Sequence, residues 1–323
     1  MKAAVMYPGS GLLAYAAHFP EPSAPEKGEL LISVKAAALK HLDKSRASGQ
    51  HYSAKGEISG AKVIGGDGVG VLQNGTRVFA LGSGMMAEKA VIRKDRIIKL
   101  PDGIDDATAA VLPNAVAGSA MALRFRARMK KGDTVLINGA TGFTGKIAVQ
   151  VARYYGAKKI IVTGRNEETL RSLPALGASD TVSLKQDDDS FTAQVKAIHR
   201  HTPIDIIIDY LWGHTAELLL SALTGNGTFT HKTRFVSIGS VTSDKIQLSA
   251  EILRSVDLQL SGSGLGSWSQ KEMRQLFRDI VPGMFKLAVN NKLKVETLSV
   301  SLEDIEKLWD MEVPDGKRLV VTI

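Results

Sequence analysis

Residues Gly132 to Arg153, GDTVLINGATGFTGKIAVQVAR, with KKIIVTGRN following at Lys158 to Asn166, leave this chain few folds to choose from. Thr134 to Asn138 is a short apolar, β-branched run of the kind a strand shows when a parallel sheet buries both its faces. Gly139, Gly142 and Gly145 then recur at every third position. In such a turn one glycine permits the bend, a second lets backbone approach a pyrophosphate, and a third lets helix and strand pack closely. Thr141, Phe143 and Thr144 lie between them, where the helix N-terminus offers N–H groups to an anion. Ile147, Ala148, Val151, Ala152 and Tyr155 fall at helical spacing, Gly156 ends the helix, and Ile160 to Thr163 starts a second strand. Gly-x-x-Gly-x-x-Gly is not the common Gly-x-Gly-x-x-Gly and is weak alone. With a strand on each side and a helix between, it predicts dinucleotide binding.

The tip of the second strand discriminates between nucleotides. A site for NAD places an Asp or Glu there to bond the ribose 2′-hydroxyl. Here the strand ends Thr163-Gly164-Arg165-Asn166, and the first acids, Glu167 and Glu168, read as first-turn residues of the next helix. Arg165 offers a planar fork suited to a 2′-phosphate. NADPH is therefore the expected cofactor. Lys146 reads as a second cation for it or as solvated helix surface.

At 323 residues the chain is long enough for two domains. It has no cysteine, which excludes disulfides, thiolate catalysis and any sulfur-ligated zinc site. The net charge of +8 points to an anionic ligand or surface, yet the cations are scattered apart from Arg124, Arg126, Arg128, Lys130 and Lys131. That group reads as a solvated helix end complementing the helix dipole, and nucleic-acid contact is disfavoured. No stretch approaches the roughly 20 apolar residues that span a bilayer. Pro8 and Gly9 interrupt the N-terminal apolar run before a signal core forms, so no membrane association and a cytoplasmic location are expected.

Residues 1–113 look β-rich, with strands expected at Ala3–Met6, Glu29–Ala37, Val69–Leu72, Arg77–Leu81 and Ala87–Ile92, a pattern that suggests a small barrel. Asp105 or Asp106 caps a helix starting near Ala107, and the alanine-rich run to Leu123 is expected to break at Pro113. From Thr134 strands and helices alternate, with further strands at Thr181–Leu184, Ile204–Tyr210, Arg234–Ile238 and Leu258–Ser261. Such alternation predicts an α/β fold built on a doubly wound parallel sheet. Helical periodicity returns at Gln270–Asn290, and Arg318–Ile323 is a closing strand. Tyr155 and Lys159 share a short-chain-dehydrogenase spacing by chance, since they follow the first helix of the nucleotide fold. His199 and His201 read as solvent-facing and His231 as exposed.

Four segments resemble the medium-chain dehydrogenase/reductase superfamily, and within it the zinc-free quinone oxidoreductase branch. They are Ala36 to Gly49, Ile64 to Phe79, Gly132 to Arg153 with Gln150, and Gly316 to Val321. The similarity covers essentially the whole chain. It implies a Rossmann domain at 114–265 and a GroES-like catalytic domain at 1–113 completed by 266–323. It implies NADPH held in a cleft between them, no zinc, and hydride transfer to quinones, enones or enoyl thioesters. Lys40-His41 stands where Asn-Pro is usual, with Asp43 matching the family's Asp. Thr141-Gly142-Phe143 replaces Ala-Gly-Gly, and the segment from Val71 to Thr76 is short.

Candidates for chemistry follow. Tyr52 matches a family tyrosine that lines the substrate site, either as proton donor or as an aromatic wall. Lys40 is either a cation stabilising developing enolate charge or a surface or ligand-phosphate contact. Asp43 is expected to fix its loop through backbone hydrogen bonds; His41 and His51 are weaker donors. Parallel-strand topology puts Asn138, Tyr210, Leu211, Ile238 and Gly239 toward the cofactor, with Asn114 and Ser119 from the preceding helix. The resemblance adds Ser261 and Gly262 near the nicotinamide, and an edge strand at Leu258–Leu260 for a homodimer. The leading expectation is an NADPH-dependent reductase of quinones or activated alkenes. Alternatives are an enoyl thioester reductase, and a non-catalytic NADPH sensor or RNA-binding protein of the zeta-crystallin kind.

Overall fold

The computed structural model describes residues 1–7, 13–47, 60–225, 230–309, 311, 313 and 316–323. They form two compact units, residues 1–113 with 277–323, and residues 114–276. The second crossing, expected at residue 266, lies further on, and within the second unit Arg126 holds Glu272 at 3.2 Å.

The first unit opens with β1 (Ala3–Met6), β2 (Leu13–Ala16) and β3 (Glu29–Ala38), then helix α1 (His41–Ala47). It continues with β4 (Lys62–Val63), β5 (Asp67–Leu72), β6 (Arg77–Leu81), β7 (Lys89–Arg93) and β8 (Ile97–Lys99). The sequence reading does not include strands β2, β4 and β8, of four, two and three residues. Helix α2 (Asp106–Met121) starts where Asp105 Oδ1 accepts the Thr108 N–H at 2.8 Å. It does not break at Pro113, contrary to expectation. Proline deletes one helical hydrogen bond, but Ala109, Ala110, Leu112, Ala115 and Val116 are all buried, and their packing outweighs that loss. A π-helical turn at Ala122–Arg126 follows.

The second unit carries β9 (Thr134–Asn138), α3 (Phe143–Tyr154), β10 (Lys159–Gly164), α4 (Glu167–Ser172), β11 (Asp180–Ser183) and α5 (Asp188–His201). Then come β12 (Ile206–Asp209), α6 (Gly213–Ala222), β13 (Thr233–Ser237), α7 (Ala250–Ser255), β14 (Leu258–Gly262) and α8 (Gln270–Gln275). The sheet runs β11-β10-β9-β12-β13-β14, all neighbours parallel. Chain order reverses between β9 and β12, the switch point at which such sheets bind ligands. The central strands are buried throughout, as TVLIN and IIID require. Phe191, Leu136, Ile207, Leu220 and Phe235 pack in one core cluster, each large side chain contributing on the order of 2 kcal/mol by burial. His199 is half-buried rather than solvated, because its Nδ1 accepts the Ile204 N–H at 3.1 Å.

The chain returns to the first unit with a π-helical turn (Leu276–Ile280), α9 (Val281–Val289), β15 (Thr297–Ser301), α10 (Ile305–Leu308) and β16 (Arg318–Thr322). Strands β15 and β16 join the larger sheet, ordered β15-β16-β3-β5-β6-β8, with β7 also on β3; a second sheet runs β2-β1-β4. Phe79 meets Phe285 edge-on, centroids 6.5 Å apart. No helix among the described residues is long and apolar enough to cross a membrane.

Candidate functional site

The glycine turn between β9 and α3 divides its labour among three residues. Gly139 has φ +85°, a left-handed conformation that favours glycine. A Cβ on Gly145 would lie 2.5 Å from Ala140 Cα and 2.6 Å from Gly139 O, so helix and turn pack too closely for any side chain. A Cβ on Gly142 would meet nothing within 4 Å. Gly142 is the N-cap of α3, so the open space lies at the helix N-terminus, where a diphosphate is favoured by charge and by N–H donors. Phe143 is buried, while Thr144 approaches Gly118.

A buried polar network supports the turn from below. Thr163 donates to Asn138 Oδ1 at 2.6 Å, and its own Oγ1 accepts the Gly139 N–H at 3.1 Å. Asn138 Nδ2 donates to Asp209 Oδ1 at 2.7 Å and to Thr215 Oγ1 at 3.1 Å. Asp209 also accepts the N–H groups of Leu211 (2.9 Å) and Trp212 (3.0 Å). Burial pushes its carboxyl above the ordinary range, against these three donors, which favour the charged form. Trp212 sits at φ +60°, ψ −160°, a costly conformation for a non-glycine residue. The Asp209 carboxylate and Thr242, whose Oγ1 lies 2.9 Å from the Trp212 carbonyl, hold it there.

Three of the expected cofactor contacts, Asn138, Tyr210 and Ser119, are buried. The Asn138 side chain is fully buried with both amide hydrogens donated internally, and it props the turn. Tyr210 turns inward against Gly118, and burial pushes its phenol far up. Ser119 is fully buried and its hydroxyl donates to the Ala115 carbonyl of its own helix at 3.1 Å. Leu211 does reach the turn: a Cβ on Gly139 would lie 2.9 Å from its Cδ2. Ile238 and Gly239 stand at the end of β13, both N–H groups donating to the Asp209 carbonyl, at 2.7 and 3.2 Å. A Cβ on Gly239 would strike the Tyr210 carbonyl. Ser261 and Gly262 close β14 on the same sheet edge, paired with Val236 and Ser237. Asn114 is the first residue of this unit.

At the tip of β10, Arg165 is exposed and Gly164 leaves no room for a side chain, since its Cβ would lie 2.2 Å from Thr141 Cγ2. Asn166 caps α4 by accepting the Thr169 N–H at 2.9 Å, which places Glu167 and Glu168 in the helix's first turn. Glu167 accepts a hydrogen bond from the Ser183 hydroxyl at the tip of β11, a contact that sequence reasoning misses because it joins the start of helix α4 to the end of a strand sixteen residues on.

In the first unit, Lys40 is neither a surface cation nor a free one. Its Nζ lies 2.5 Å from Asp67 Oδ1, 3.1 Å from Asp43 Oδ2 and 3.2 Å from the Ala38 carbonyl, and the residue is buried. Burial opposes its charge, but the two carboxylates win and hold its pKa above the ordinary value. Asp43 accepts the Lys40 N–H at 3.0 Å and the Gly66 N–H at 3.1 Å, tying α1 to the start of β5. Tyr52 and His51 lie outside the described residues. Arg126 in the basic run is spent on Glu272. Among the described residues no group of His, Asp and Glu is placed to hold a metal.

Residues 144–281 match the zinc-binding dehydrogenase family. The chain is 28% identical to a probable NADPH-dependent quinone reductase of Emericella nidulans, with 94% of each covered. It is 27% identical to the quinone oxidoreductase of Sus scrofa, over 80% of this chain and 78% of that one. The quinone oxidoreductase of Thermus thermophilus, solved also with NADPH, superimposes with a TM-score of 0.77 at 25% identity over the full length of both.

Proposed function

Because this chain is a medium-chain dehydrogenase/reductase of the quinone-oxidoreductase-like kind, we propose that it is an NADPH-dependent reductase of quinones and activated alkenes such as enones. The observation that carries the proposal is the glycine cradle: Gly142 opens onto free space at the α3 N-terminus while Gly139 and Gly145 make the turn and the close packing. That division of roles fits a dinucleotide diphosphate.

When bound, NADPH supplies a hydride, which with a proton reduces a quinone to a hydroquinone or an enone to a ketone. The α3 N-terminus would hold the diphosphate, and Arg165 the 2′-phosphate. Asn138, Thr163 and Asp209 keep the turn in shape so that no reorganisation is needed on binding. Lys40 and Asp43 fix the loop that follows β3. A proton-donating role for Tyr52 belongs to the same proposal and rests on the family resemblance.

The reading is zinc-independent, supported by the lack of cysteine in the sequence, and it takes the protein to be cytoplasmic. It includes a homodimer: among the described residues β14 pairs only with β13, and Leu260 on it is 37% exposed. Calorimetric titration of NADPH and NADH into wild-type protein and Arg165→Ala tests the cofactor assignment. Wild type is expected to bind NADPH more tightly, with Arg165→Ala losing NADPH affinity at least tenfold and NADH affinity little. Equal losses would remove the 2′-phosphate from Arg165.

A further inference from the structure

We propose that Ser183 is a specificity-determining residue, which secures NADPH over NADH by holding the Glu167 carboxylate away from the ribose 2′-position. The inference rests on the assignment of Arg165 to the 2′-phosphate.

Arg165 is followed two residues later by Glu167, and an acid in this region is what an NAD site uses to bond the 2′-hydroxyl. An unrestrained Glu167 would therefore have two effects: repelling a 2′-phosphate and offering an acceptor to a 2′-hydroxyl. The fold removes both. The β10–β11 register sets Ser183 beside Gly164, the residue preceding Arg165. From there Ser183 donates its hydroxyl hydrogen to Glu167 Oε1. The hydroxyl is itself fixed, because its oxygen accepts the Lys185 N–H at 3.1 Å. The Leu184 N–H, donated to the Gly164 carbonyl at 2.8 Å, continues the strand pairing past the tip. Both Ser183 and Glu167 are half-buried, so the bond is partly screened from competing water. Glu167 is further held as the first residue of α4, whose cap is Asn166.

The acid is thus present but turned onto β11. Lys185, two residues beyond Ser183, is exposed. Ser183 touches no reacting atom; it acts through Glu167 and is a positioning residue.

The test is the ratio of NADH to NADPH dissociation constants, measured by titration calorimetry without substrate, for five proteins: wild type, Ser183→Ala, Ser183→Thr, Glu167→Gln, and the Ser183→Ala/Glu167→Gln double variant. Ser183→Ala is expected to cut the NADPH preference about tenfold, the scale of one uncompensated charge at a partly solvated site. NADH should bind more tightly and NADPH more weakly. Ser183→Thr, which keeps the hydroxyl, and the double variant, which removes the charge, should both return to within about twofold of wild type. A merely structural role for Ser183 would weaken both nucleotides together and would not be rescued by Glu167→Gln. An unchanged ratio in Ser183→Ala, or a double variant that stays shifted, overturns the inference while leaving Arg165 in place. Wild-type protein with no preference for NADPH would overturn the cofactor assignment and the inference with it.

Discussion

Asn138 and Asp209 lie fully buried beneath the glycine turn, joined by a 2.7 Å hydrogen bond across the strands β9 and β12 between which the sheet reverses. Truncating Asp209 to Ala would orphan donors from Asn138, Leu211 and Trp212 and release the strained Trp212 backbone. Each unpaired buried donor costs about 1–3 kcal/mol. The variant is expected to lose at least about 3 kcal/mol in urea unfolding, and to bind nucleotide weakly even where folded. Unchanged stability would mean that the network does not support the turn.

Two glycines three residues apart should behave in opposite ways. Gly142→Val places its side chain in open space at an extended backbone position, so the melting temperature should stay within a few degrees of wild type while binding of NADPH and NADH is lost. Gly145→Ala drives a methyl into the Ala140 backbone and should unfold readily. Parallel thermal melts and titrations separate the two. A folded Gly142→Val that still binds NADPH would show that the cradle holds no diphosphate.

Lys40 neutralises two buried carboxylates. Lys40→Met should therefore destabilise the protein by about 3–5 kcal/mol, the usual penalty for breaking a buried pair from one side. Denaturant titration checks this. Wild-type stability combined with lost turnover would instead return Lys40 to the catalytic role considered from sequence.

His199 sets a pH limit. Burial, with His231 adding to it, lowers its pKa below the ordinary value, and its Nδ1 must be unprotonated to accept the Ile204 N–H. A depressed pKa contributes stability that is complete above the unfolded value, about 6.5, and lost as pH falls through the folded one. Melting temperature should thus drop on acidification below about pH 6.5. His199→Asn, whose Oδ1 can accept the same bond without titrating, should flatten that part of the curve; an unchanged slope would assign it to other groups.

Much of the nucleotide unit is legible in the sequence because parallel strands buried on both faces are continuous apolar runs. TVLIN at 134–138 and KIIVTG at 159–164 could hardly be anything else. The turn at Gly139 and the close packing at Gly145 are legible too, since each follows from local backbone geometry. What is not legible depends on contacts between distant residues. Asn138 and Tyr210 stand at the right end of their strands, yet their side chains are claimed by Asp209 and by the packing around Gly118. The partners of Lys40 need the strand carrying Asp67 to be folded alongside. Pro113 reads as a helix break because propensity is local, whereas the helix persists through packing. Strand β15, TLSVS and at most half-buried, carries no alternation strong enough to notice.

The most direct measurement is steady-state oxidation of NADPH and of NADH by the purified protein against a panel of quinones and enones. Sustained turnover with NADPH, at least tenfold more efficient than with NADH and abolished by Gly142→Val, is the expected result. Tight NADPH binding with no oxidation by any electrophile would contradict a reductase and leave a nucleotide-binding protein in its place.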